Sequence, residues 1–306
     1  MGKILKDTTV VFLALFFLFF AGASTALSKK KGPSHVNNSL KTSSQVSKGA
    51  VEKEKKEAEA NKKQFDETAI KVVAETYKVV KLLDDNKDKE ALDLLKKVIG
   101  ELEVVLASNK SMSLVPINSY SIIADTDLEP EQIIKHLDKV KMLLEKGQIQ
   151  EARVLLNGLR SEINIIIENL PLATYPDAMK LAAKYIANNK LSEARSVLTV
   201  ALNSMVIETV VIPLPLVRAK GLVKEASKTA NINKEKALEY LDEAKKQLRI
   251  AQILGYGHED AKEYKELKER INSIQKEIKG KNKAEKMFEE LLKKLKEFKE
   301  KLTSKS

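Results

Sequence analysis

Cysteine and tryptophan are absent from the 306 residues, histidine occurs three times, and the aromatics amount to eight Phe and seven Tyr. Without cysteine there is no disulfide framework, thiolate nucleophile, Cys-ligated zinc, iron–sulfur cluster or lipoprotein anchor. His35, His136 and His258 leave little for a zinc site or a catalytic triad. No Gly-rich phosphate loop, Gly-x-Ser-x-Gly elbow or His-Glu-x-x-His occurs, and the 11 glycines are scattered mostly at turns. Charge, in contrast, is plentiful: 54 Lys plus Arg face 43 Asp plus Glu, and 43% apolar residues are enough for a sizeable core.

Lys3 and Lys6 lead into an apolar run from Val10 to Ala23, followed by small residues through Ala26. Fourteen apolar residues fall short of the roughly 20 that span a bilayer, so residues 1–26 read as a cleaved export signal and a periplasmic location follows. An uncleaved N-terminal anchor is the alternative, because Lys29, Lys30 and Lys31 resist translocation. Beyond Ala26 the excess charge is uneven. Residues 27–66 hold ten basic and five acidic side chains, 67–257 hold 27 and 26, and 258–306 hold 15 and 11. The centre is nearly neutral and the two ends are basic.

Residues 27–62 are rich in Lys, Ser, Asn and Glu and read as a flexible tether, with helix expected only after Val51. From 63 to 257 apolar residues recur at helical spacing, interrupted by short polar turns. Four stretches superimpose: Leu82–Leu95, Leu143–Leu156, Tyr185–Leu198 and Ala226–Leu241. Each is a helix end, a turn and a new helix, with an alanine recurring at Ala91, Ala152, Ala194 and Ala237. A small residue there lets two antiparallel helices approach closely. The expected fold is all-α: stacked antiparallel hairpins like tetratricopeptide helix pairs, though not a strict array. One helix carries Ile133, Leu137, Val140 and Leu144 and ends at Gly147; its partner is expected to run through Ala152, Leu155, Leu159, Ile163 and Ile166. Pro130, Pro176 and Pro215 mark first turns.

Met112–Ile123 and Glu208–Leu216 break this rhythm as β-branched runs containing proline, suited to a short two-stranded element or to extended loops. Pro116, Pro213 and Pro215 confine any strand there to a sheet edge. Residues 258–306 show heptad spacing, Tyr264–Leu267–Ile271–Ile274–Ile278 and then Phe288–Leu291–Leu295–Phe298–Leu302. A C-terminal helical hairpin follows, packed on the core or paired between chains.

The remaining polar residues suggest no chemistry. His136 reads as a surface or half-buried side chain, and Asp84, Asp85 and Asp88 lack the glycine and glutamate of a calcium loop. Lys293 to Lys301 alternate with glutamates, as on a solvated helix face, so no nucleic-acid surface is expected. Contact of the basic ends with an anionic membrane or the cell envelope stays open.

The segment VIPLPLVRAKGLVKEA from Val211, followed by KALEYLDEAKKQLRIAQILGYG ending at Gly257, resembles the C-terminal signature of the YfdX family. ALDLLKKVIGELEVVLA and Leu114–Ile117 (LVPI) are similar to that family's first hairpin and its proline loop. The likeness covers roughly residues 67–270; the Lys-rich tether and residues 281–306 extend past it. It implies an exported, mostly helical, stress-linked protein with chaperone-like or ligand-binding behaviour and no established catalytic site or cofactor. Two functions are therefore expected. The first is non-enzymatic binding of unfolded segments or small amphiphiles in an apolar groove near Pro213, Leu214, Pro215, Leu216, Leu254, Gly255 and Tyr256. The second is scaffolding, with the chain self-associating as a homo-oligomer through a C-terminal coiled coil.

Overall fold

A computed structural model describes residues 40–60, 65–257, 260–280 and 284–304. The segment read as an export signal and the first part of the tether lie outside the described residues. Three units repeat a helix pair followed by a strand. The first is α2 (Glu67–Asp84), α3 (Asp88–Ser108) and β1 (Leu114–Ala124). The second is α4 (Pro130–Glu145), α5 (Ile149–Asn157) and β2 (Glu162–Pro171). The third is α6 (Tyr175–Ala187), α7 (Leu191–Leu202) and β3 (Val206–Pro213), followed by a fourth pair, α8 (Leu214–Thr229) and α9 (Lys234–Ile253). Before and after these lie α1 (Ser43–Ala60) and the C-terminal pair α10 (Ala261–Lys279) and α11 (Glu285–Ser304). The fold is mostly helical, and the extended element is a three-stranded antiparallel sheet in the order β1-β2-β3.

The turns explain why the hairpins repeat. Asn86, Gly147 and Asn189 occupy the same place, five residues before the anchor alanine, and all three have positive φ, 56°, 72° and 57°. Each closes a Schellman motif. Asn86 N–H bonds Leu83 O and Lys87 N–H bonds Leu82 O; Gly147 and Gln148 repeat this on Leu144 and Leu143, and Asn189 and Lys190 on Ile186 and Tyr185. Glycine and asparagine are the residues that adopt this left-handed geometry at least cost. The following residue starts the next helix, its carbonyl accepting from Ala91, Ala152 or Ala194. Those alanines are buried, as is Ala237. The fourth turn is longer and is capped instead by the Asn233 side chain, which accepts from Lys236 N–H.

Ile163 and Ile166 are not a continuation of the helix before them. The helix α5 stops at Asn157, Gly158 caps it, and both isoleucines lie in β2. Three consecutive β-branched residues, Ile165, Ile166 and Ile167, crowd a helix and suit a strand with neighbours on both sides. β2 is that central strand. The two proline-bearing stretches become the edges β1 and β3, each pairing with β2 and not with the other. Pro116 coincides with a register irregularity in β1, and Pro213 closes β3.

Because the strands alternate in direction, the hairpins alternate between the two ends of the sheet. Leu114 is paired with Pro171 at one end, where α2–α3 and α6–α7 sit. At that end Val72, Val79, Leu83, Leu95, Val98, Met179 and Leu198 form one core, closed by Val115 and Leu170 from the sheet. At the other end, where Glu162 is paired with Ala124 and Pro213, the helices α8 to α11 build a second core. There both heptad stripes of α10 and α11 are buried within the chain, and Tyr264 meets Phe298 edge-on at 5.0 Å.

Ser43–Ala60, which composition places in the tether, is the helix α1 lying along α8. Its contacts are made by small groups, a feature that hydrophobicity does not register. Ala50 stands where Gly221 has no side chain, and a Cβ at Gly221 would come within 2.5 Å of the Ala50 Cβ. Val46 is buried, Val51 and Ala58 pack on the cluster of Ile163, Ile212, Leu214 and Val217, and Tyr240 Oη donates to Lys41 O. Replacement Gly221→Val is expected to lift α1 from α8. Tryptic cleavage at Lys48, Lys53, Lys55 and Lys56 should then accelerate, and the Tm should fall by about 2–4 °C for each kcal/mol lost; unchanged proteolysis would show that the contact does not hold the helix.

Candidate functional site

The two segments singled out from the sequence do meet in space, and they meet at Ser161. Leu214 N–H donates to Ser161 O (2.9 Å), while Ser161 N–H donates to Tyr256 Oη (3.0 Å). Ser161 Oγ donates to Asp125 (2.8 Å), whose other oxygen pairs with Arg218. Pro213 precedes the first turn of α8 and Pro215 lies within it, where a missing N–H leaves no bond unmade. Leu214 and Leu216 point into the core and are fully buried. Leu254 caps α9, and Gly255 and Gly257 take positive φ to turn the chain around Tyr256. At Gly257 a Cβ would stand 2.7 Å from Leu302 of α11. These residues form a junction that ties β2, α8 and the end of α9 together.

Glu162 is the charged member of this junction. Burial pushes its carboxyl up, but hydrogen bonds from Arg160, Asn164 and Tyr256 outweigh that and hold it below its ordinary value of 4.5. Tyr256 donates to Glu162 at 2.9 Å, and burial together with that carboxylate keeps its phenol protonated well above the usual range. Tyr264 Oη donates to Tyr256 O at 2.6 Å, linking the junction to α10.

An opening lies elsewhere, on the face of the sheet covered by α1 and α11. A cavity of about 250 Å³ has Ser119, Ile165, Ile167, Val210 and Ile212 as its floor. Glu54, Glu57 and Ala58 of α1, Phe65 and Lys299 of α11 close it from above. Lys299 pairs with Glu54, with 15% and 13% of their side chains exposed, so one ion pair clasps α1 to α11 across the mouth. Burial, and then the neighbouring Lys299, lowers the ammonium of Lys220 on α8 below its usual range. Alternation at 163, 165 and 167 was the sequence signal for this floor; the unbroken Ile run concealed it.

The residues set aside in the sequence have ordinary roles here. His136 Nδ1 lies 2.8 Å from Gln132 O on an exposed helix face, and Asp84 pairs with Arg195 at 2.8 Å. Among the described residues, no group of three or more His, Asp or Glu is arranged to hold a metal ion, and no helix is long and apolar enough to cross a membrane.

Residues 72–211 match the family described as YfdX protein. That span runs from within α2 to near the end of β3 and so coincides with the three helix-pair-and-strand units. No curated protein matches the chain. Among solved structures it is similar to Salmonella Typhi YfdX, with 18% identity and a TM-score of 0.34, over 49% of this chain and 93% of that one.

The Glu162 junction has a pH consequence. A carboxyl whose folded value is depressed contributes stability that is complete above its unfolded value, here 4.5, and is lost as pH falls through the lower folded value. Glu162→Gln should therefore lower the Tm at pH 7 by a few degrees, the shift that about 1 kcal/mol produces in a chain of this size. The gap to the parent should narrow as thermal scans move below pH 4.5. A gap independent of pH would remove Glu162 from the acid response.

Proposed function

This chain belongs to the YfdX family through residues 72–211, and on that premise we propose that it is an exported, non-enzymatic, stress-linked binding protein that holds small amphiphiles or apolar protein segments. The observation that carries the reading is the cavity between the sheet and α1. Its floor is Ser119 and four β-branched side chains, Ile165, Ile167, Val210 and Ile212, and its mouth is lined by Glu54, Glu57 and Lys299. An apolar floor with a charged rim suits a ligand with an apolar tail and a polar end. At about 250 Å³ the space lies just under the roughly 300–1,000 Å³ of drug-sized pockets, so a short aliphatic chain is the matching ligand. The ionisable groups there are drawn into ion pairs, an arrangement that serves closure and not nucleophilic attack.

Export rests on the Lys3, Lys6 and Val10–Ala23 pattern. A link to acid stress follows from the chain's many carboxylates. Their protonation removes partners such as Glu57, whose carboxyl the hydrogen bond from Lys53 holds below its ordinary range, and leaves an excess of positive charge that repels α1 from α11. Both processes open the apolar floor.

The test is equilibrium binding of a fluorescent medium-chain fatty acid to the protein, with Ala58→Phe as the comparison. Filling the cavity should weaken binding at least tenfold, about 1.4 kcal/mol, while leaving the fold intact. A dye that reports exposed apolar surface should bind increasingly between pH 7 and pH 3. Equal affinity in parent and Ala58→Phe would exclude this cavity as the site.

A further inference from the structure

The repeat permits an internal comparison that reveals an uncovered surface. Eight residues before each anchor alanine stand Leu83, Leu144 and Ile186; four residues after it stand Leu95, Leu156 and Leu198. In the first and third hairpins these positions are core, with Leu83 and Leu95 exposed by 1% and 0% and Ile186 and Leu198 by 6% and 0%. In the second hairpin the same positions are open: Leu144 is 49% and Leu156 43% exposed. Ile149, two turns before Leu156 on the same stripe, is 58% exposed where the first hairpin has Asp88.

The reason is the cover that each hairpin finds. At their end of the sheet, α2 packs on α7 and α3 on α6, so the first helix of each hairpin meets the second helix of the other. That exchange is a pseudo-two-fold, and the buried leucines lie within it. The second hairpin shares its end of the sheet with α8–α9. There α4 meets α9 near the sheet, where Ile133, Leu159 and Ile250 cluster, but α8 packs on α1 and α11 where the pattern would have placed α5. Among the described residues, the tip of α4–α5 is left with the apolar positions of a paired hairpin and no second hairpin over them.

We infer that the tip of α4–α5 is a docking face for a second copy of this chain, two such hairpins packing about a two-fold axis through Leu144, Ile149 and Leu156. The chain itself supplies the argument for this occupant. It covers the equivalent leucines at its other end with a hairpin of the same kind, in a two-fold manner. A surface built for such pairing is self-complementary when a second copy presents it. Charge does not oppose the approach: Pro130–Asn157 carries five basic and four acidic residues. This interface differs from the heptad segment, whose apolar stripes are used inside the chain.

Sedimentation equilibrium of the full chain tests the inference, beside Leu144→Glu/Leu156→Glu and the control Val200→Glu, which changes an exposed valine on α7. The parent and the control should be dimers, and the double variant should dissociate at least about 100-fold more readily with unchanged helicity. Since the natural chain has no cysteine, Ile149→Cys gives a single labelling site. Chains carrying donor or acceptor dyes there should show concentration-dependent energy transfer. A parent that is monomeric at ~100 μM, a dimer that survives the double substitution, or an absence of transfer would each overturn the proposal.

Discussion

The backbone of β2 must satisfy its hydrogen bonds on both edges, and most of the architecture follows from that requirement. A strand of ten residues with buried isoleucines cannot leave its N–H and C=O groups unpaired, so β1 and β3 must flank it. Antiparallel pairing then sends successive helical hairpins to opposite ends of the sheet. Two separate cores result, one closed by Val115 and Leu170 and the other built by α8 to α11. The sheet thus joins the two helical cores, although it is the smaller part of the fold.

Function, as proposed, depends on the same strand. The outward alternation of Ile165 and Ile167 supplies the floor of the cavity, and the first residues of β2 anchor the junction at Ser161 and Glu162. The junction is bonded to the start of α8, and α8 packs on α1, which closes the cavity. Acid acts on both parts through carboxylates: Glu162 at the junction and Glu57 at the mouth of the cavity.

The hairpins were legible because their signals are local. Asn86, Gly147 and Asn189 announce left-handed turns, and an alanine five residues later announces close helix approach. The edge character of the two proline-bearing strands was legible for the same reason. β2 was not, since Ala152, Leu155, Leu159, Ile163 and Ile166 also fit helical spacing. Only the tertiary partners of an unbroken Ile run distinguish a central strand from a buried helix. The groove expected near Leu214 and Leu216 shows a related ambiguity, because an apolar stretch between prolines reads alike whether it lines an opening or fills a core.

The sequence by itself determined the turns between paired helices, the placement of excess charge at the two ends and the lack of cysteine chemistry, all of which are written in residue type and local order. Tertiary structure decided that Gly221 and Ala50 make a seat for α1, that the heptad stripes close on their own chain, and that one hairpin of three is left uncovered by the described residues. Each of these depends on which surfaces compete for the same neighbour, and that competition exists only once the chain is folded.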